Sequence, residues 1–210
     1  MVKILAFVAL LLVAFWLVLP QSNQQAQLSK PWQIELNQNN NSSVFGIMLN
    51  ETKLNKAIKL FKDKPQFAYV KTAQGNLKFE VYYPTVRISG LTGKLLLVAT
   101  ANKLPAKLNN KEKLASDGSK MYATSSIPTD SIVKAITFIP SKDLSAAVII
   151  QRFGNPEKII ELTSELQHYL YPKLGVDIAI STQGYEIIQY VSPKNFEQLA
   201  QPLIEYIENH

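Results

Sequence analysis

The chain has 210 residues, 47% of them hydrophobic and 18% charged, with a formal net charge of +6. That is enough apolar material for one or two compact domains, and it excludes a disordered polymer. Cysteine is absent, which removes disulfides, thiol nucleophiles, thiolate zinc sites, iron–sulfur clusters and the lipid-accepting cysteine of a bacterial lipoprotein.

The opening stretch MVKILAFVALLLVAFWLVLP carries one charge, Lys3, then an unbroken apolar run from Ile4 through Phe15 and Trp16 to Leu19, stopped by Pro20. At 1.5 Å per residue the run reaches about 24 Å, against a hydrocarbon core of about 30 Å. The expectation is an anchor over residues 1–20 lodged in the lipid bilayer, with a cleaved secretory signal as the alternative. Pro20-Gln21-Ser22 and Gln24-Gln25-Ala26 are poor cleavage sites, which favours the anchor. Lys3 precedes the run and only Lys30 follows it closely, so the body is expected outside the cytoplasm. That implies an inner-membrane protein with its globular part in the periplasm, or a periplasmic one if the segment is cleaved.

Residues 21–43 are rich in Gln, Asn and Ser and predict a hydrated tether, with Trp32–Leu36 alternating as a short strand within it. The Asn-x-Ser/Thr triplets at Asn41 and Asn50 match the glycosylation pattern, but such triplets also arise by chance in polar sequence. From Asn50 as N-cap, Leu54, Ala57, Ile58 and Phe61 recur at helical spacing until Pro65. QFAYVKT, NLKFEVYY, TVRISG and KLLLVATA then read as four strands, punctuated by Gly75, Pro84 and Gly90. Residues 44–101 form a first helix-plus-sheet unit, and the charged stretch 102–130 a connector loop.

The second unit, 131–210, opens with the strand SIVKAITFIP. A helix capped by Ser141 follows, ending at Gly154 and Pro156. EKIIEL, QHYLYP, GVDIAI and YEIIQYV are strand-like, and a last helix begins at Ser192-Pro193 with Phe196, Leu199, Leu203 and Ile207 on one face and a kink at Pro202. Phe61–Pro65 aligns with Phe153–Pro156, Tyr83-Pro84 with Tyr171-Pro172, Val86-x-Ile88 with Val176-x-Ile178, and Gly93 with Gly184, at offsets of 88 to 92 residues. The expected fold class is therefore α+β: a transmembrane or signal-anchor helix, then two helix-plus-antiparallel-sheet units related by tandem duplication or by shared turn chemistry alone.

FGIMLNETKLNKAIKLF, RFGNPEKI and LYPKLGVDIAI together resemble the SmpA/OmlA (BamE-like) envelope modules, with Asn50 where that pattern has its second glycine. A tandem pair of such units is similar to the β-lactamase-inhibitor proteins. The resemblance covers about 120 residues in two pieces. It implies small α+β modules that bind proteins in the cell envelope without cofactors, and the missing lipoprotein cysteine departs from it.

Catalytic material is thin. His168 and His210 are the only histidines, too few for a histidine-rich metal centre, and no phosphate-binding loop, dinucleotide fingerprint or His-Glu-x-x-His is present. No catalytic residue, metal ligand or cofactor is assigned. Glu157, Glu161 and Glu165 are four apart in sequence that reads as strand or turn, so they need not share a face in useful geometry. Residues 51–120 hold fourteen Lys or Arg against five Asp or Glu, whereas 121–210 hold six against ten. Such asymmetry suits an acidic partner, anionic headgroups, docking between the halves, or an ordinary solvated surface. Nucleic acid is not expected, because aromatics such as Phe67, Phe79 and Tyr82 belong to strands.

These features favour a non-enzymatic module that binds another envelope protein or stabilises an envelope complex, with Tyr83, Tyr171 and Tyr190 as candidate aromatic contacts or core residues. A hydrolase drawing on Asp177 or Glu186, and a lipid- or glycan-binding module, are the alternatives.

Overall fold

The computed structural model describes residues 28–105 and 112–209. Three short strands come first: β1 (Glu35–Leu36), β2 (Ser42–Val44) and β3 (Ile47–Met48). After helix α1 (Leu54–Ile58) the chain lays down β4 (Gln66–Lys71), β5 (Leu77–Ile88), β6 (Leu91–Thr100), β7 (Glu112–Leu114), β8 (Lys120–Thr124) and β9 (Val133–Pro140). Helix α2 (Ala146–Phe153) crosses to β10 (Lys158–Thr163), β11 (Leu166–Tyr171), β12 (Val176–Ser181) and β13 (Tyr185–Val191). A 3-10 turn, Pro193–Asn195, leads into α3 (Phe196–Glu208).

Strands β4 to β13 form one ten-stranded sheet in the order β10-β11-β12-β13-β9-β6-β5-β4-β8-β7. Every pairing in it is antiparallel. Alternation decides the two faces. On the inner face Phe79, Val81, Tyr83, Leu95, Leu97, Ile136, Phe138, Ile188 and Tyr190 are buried. Phe45 from the N-terminal strands sets its ring edge-on to both Phe138 and Tyr190, at 5.7 Å in each case. Leu54, Ala57 and Ile149 close the same core from α1 and α2. The outer face is treated unequally: α3 covers β10 to β12 with Phe196 and Ala200 against Ile160 and Leu170, and among the described residues no helix covers that face of β4 to β6.

The expected two-unit α+β plan is corrected by this arrangement. The chain is mainly β, and β9 pairs with β6 on one side and β13 on the other, fusing both halves into a single sheet. No helix among the described residues is long and apolar enough to cross a membrane, and the expected leading transmembrane helix forms no part of the described architecture. Its residues Ile4, Phe15, Trp16 and Leu19 lie outside the described residues.

The offset alignment holds for two side-chain pairs and then fails. Phe61 packs on Tyr83, whose hydroxyl faces the Ile58 carbonyl at the end of α1, and Phe153 packs on Tyr171, which donates to Gly154 at the end of α2. Val86 and Ile88 nevertheless continue the strand of Tyr83, whereas Val176 and Ile178 belong to the strand after Tyr171. Pro84 does not end β5. It sits with Thr85 in a bulge between Tyr83 and Val86, the place where a residue without an N–H costs no ladder bond.

Other expectations shift locally. Asn50 is not an N-cap: its φ of 66° is left-handed, and α1 begins after Lys53. The α2 cap is Ser145, which accepts from Val148 N–H, rather than Ser141. Ser192 turns its hydroxyl away from the last helix to the Asn40 carbonyl and Asn41 Oδ1. Helix α3 runs through Pro202 and buries Phe196 and Ala200, while Ile207 remains 45% exposed.

The tether expectation is also revised from residue 28 onward. Glu35–Leu36 and Ser42–Val44 are strands, Asn41 and Ser42 are buried, and Asn37, Asn41, Asn50, Glu51 and Asn195 join through side-chain hydrogen bonds. The connector supplies β7 and β8, which extend the sheet beyond β4.

Candidate functional site

The three tyrosines lie inside the inner-face core: Tyr83, Tyr171 and Tyr190 are at most 3% exposed. Burial pushes the Tyr83 and Tyr171 hydroxyls up to about 12 and that of Tyr190 well above its usual range. Tyr190 donates to the Pro31 carbonyl at 3.1 Å. None of the three presents a ring to solvent, so they bind the protein to itself. The triplet asparagines are equally occupied: Asn41 is buried, and Asn41 and Asn50 both donate side-chain amides within the network around Glu51.

Asp177 and Glu186 do not converge. Strand β12 turns Asp177 to the outer face and β13 turns Glu186 to the inner one, as the pairings Asp177↔Gln189 and Ile180↔Glu186 require. A two-carboxylate cleft is therefore not built from them. Among the described residues no group of three or more His, Asp or Glu side chains is placed to hold a metal ion.

Each carboxylate has its own partner instead. His168 Nδ1 lies 2.9 Å from both oxygens of Asp177. Both residues are buried on the outer face that α3 covers. The pair is diagonal across the β11–β12 hairpin, since His168 faces Ala179 and Asp177 faces Leu170. Replacing Asp177 with Ala strands an imidazole nitrogen in the interior. The expected loss is about 1 to 3 kcal/mol for an unmade buried hydrogen bond, read by urea unfolding. Asp177→Asn keeps an acceptor and should lose less.

Glu186 is 3% exposed and its Oε2 has no hydrogen-bond partner. Desolvation raises its pKa above the usual 4.5, the neighbouring charge of Asp143 adds to the rise, and the Leu144 N–H opposes it. A carboxyl with a raised folded pKa contributes its stability below the unfolded value, and that contribution is lost as pH climbs through the folded one. Glu186→Gln should therefore gain most over the parent at pH 8 and least at pH 4. Thermal unfolding across that range measures it.

The open part of the outer face is a better surface for a ligand. Here Tyr82 and Leu96 sit in register with Gln66 and Thr137 in one row across four strands. Ala68, Met121 and Ala123 extend the same face towards the edge, and Lys113 closes it. Together they line a groove of about 510 Å³. Tyr82, Leu96 and Met121 are partly exposed, whereas Val81, Tyr83, Leu95 and Leu97 on the opposite face of β5 and β6 are buried.

Charge surrounds the groove unevenly. Glu80 within it is paired with Lys78 at 2.9 Å, while Arg87, Lys94 and Lys113 are exposed. Alternation puts Arg87 and Lys94 on the outer face, because Val86, Ile88, Gly93 and Leu95 are buried on the inner one. The basic excess of residues 51–120 is thus concentrated partly beside an apolar recess.

Sequence reasoning named neither His168–Asp177 as a pair nor Tyr82 and Leu96 as a surface. The hairpin register implied by Tyr171-Pro172 and Gly175-Val176 contained the first signal. The second needed the knowledge that α3 covers only one half of the face. Compared with family models, curated proteins and solved structures, the chain finds no match.

Proposed function

We propose that the protein is a non-enzymatic, protein-binding module whose uncovered outer sheet face receives an amphipathic, acidic segment. The observation that carries this reading is the asymmetry of that face: α3 seals β10 to β12, whereas Tyr82, Leu96 and Met121 line an open groove over β4 to β8. Apolar surface in a recess with basic side chains beside it is the ordinary chemistry of helix-in-groove recognition. Lys113 in the groove, with Lys94 and Arg87 further along the same face, selects carboxylates and speeds encounter with them.

The reading also accounts for the absence of convergent catalytic groups between Asp177 and Glu186. Each is used within its own part of the fold: Asp177 by His168, and Glu186 beneath the approach to α2.

The test is site-specific photo-crosslinking in cells. A photoreactive residue replacing Tyr82 or Met121 should form adducts with polypeptide, and one replacing Lys173, in the β11–β12 turn, should not. If neither groove position yields a polypeptide adduct at full expression of the folded protein, the binding reading is wrong.

A further inference from the structure

Resting on the binding role just assigned to the outer face, we infer that its occupant is α3 of a second copy of this chain, in a face-to-face twofold dimer. The outer face is shaped as a step. Over β10 to β12 the helix stands proud of the sheet, and over β4 to β6 no helix among the described residues covers it. Two such surfaces turned towards one another about a twofold axis near the central strands β9 and β13 place each helix over the other copy's recess. The result is a layer of two helices enclosed between two sheets. One patch serves both partners, as an isologous interface demands.

Charge follows the same step. Helix α3 carries Glu197, Glu205 and Glu208 and no basic residue, and all three glutamates are exposed. Lys113 lines the recess, Lys94 and Arg87 follow beyond Leu96 on the same outer face, and the recess's one glutamate, Glu80, is paired with Lys78. Ridge and recess are therefore of opposite sign, so the intermolecular arrangement is attractive and the mismatched one, recess on recess, repels.

Apolar surface completes the match. Helix α3 spends Phe196 and Ala200 on its own sheet and leaves Tyr206 41% and Ile207 45% exposed beside Glu205 and Glu208. An aromatic and a branched aliphatic side chain at the tip of an acidic helix suit a groove lined by Tyr82, Leu96 and Met121. The polar outer side of α3, with Gln198 and Gln201, would lie between the two sheets at the wetter margin.

The absence of cysteine gives a clean assay. In the full-length protein, the double variant Leu96→Cys/Ile207→Cys should oxidise to a disulfide-linked dimer on a non-reducing gel. The control Lys173→Cys/Ile207→Cys should remain at the monomer mass of 23.5 kDa. Independently, Lys94→Glu/Lys113→Glu should weaken self-association at least tenfold in sedimentation equilibrium. Adding Glu205→Lys/Glu208→Lys should restore it, which a mere folding defect would not allow. Absence of a cross-linked dimer in the Leu96/Ile207 variant, with the unmodified protein monomeric at micromolar concentration, overturns the dimer. If the groove then still cross-links to a different polypeptide, the binding role stands and only the identity of the partner is wrong; if it cross-links to nothing, both fall.

Discussion

Gly93→Ala is expected to destabilise the protein by about 3 kcal/mol or more, a large part of the stability typical of a single domain. Gly93 lies on the inner face of β6, opposite Pro140 of β9. A methyl group there would enter the Ile139 carbonyl oxygen and approach the Phe138 ring to 2.6 Å. The ring can rotate, but the carbonyl belongs to the neighbouring strand and cannot withdraw without opening the β6–β9 ladder. That ladder is the seam between the two halves. The double variant Gly93→Ala/Phe138→Leu should recover only part of the loss, because shortening the ring leaves the backbone clash in place. Denaturant unfolding of the three proteins distinguishes backbone from side-chain conflict.

Gly175→Ala should have a comparable effect, about 2 to 5 kcal/mol, for two separable reasons. Its φ of +71° is left-handed, which costs an L-residue about 1 to 2 kcal/mol. A Cβ would also strike the Val191 carbonyl and lie 3.0 Å from Pro193 N, adding an overpacking cost of about 1 to 3 kcal/mol. The same glycine carbonyl accepts the Val191 N–H at 2.9 Å, so the β11–β12 turn and the chain entering α3 would be pushed apart. Faster amide exchange in α3 than in β5 would localise the damage. Equal acceleration everywhere would mean that the turn, rather than the crossing point, is the cause.

The strands were legible because apolar alternation is written locally. QFAYVKT, SIVKAITFIP, GVDIAI and YEIIQYV all appear close to the positions that their patterns suggest. What escaped detection depends on contacts distant in sequence. Pro84 breaks the alternation at Tyr83, yet the bulge absorbs it and β5 passes through unbroken. The charged connector hides β7 and β8 because an edge strand near solvent can carry Lys and Glu without loss. The Asn-rich stretch before Val44 looks hydrated, but the side-chain amides of Asn37 and Asn41 are engaged by Glu51 and Ser192. Of the proposed binding surface, only the basic excess was visible in the sequence. The groove exists because of which face Tyr82 and Leu96 occupy and where α3 stops.

The position of β9 dictates a hazard during synthesis. Its first neighbour, β6, is complete by Thr100, but its second, β13, is finished only at Val191. While the intervening sequence emerges, one long border of β9 offers unsatisfied amides and carbonyls, and Phe138 waits beside it for Ile188. Nascent chains stalled or truncated before residue 185 should accordingly aggregate or recruit chaperones, whereas chains released after Val191 should not.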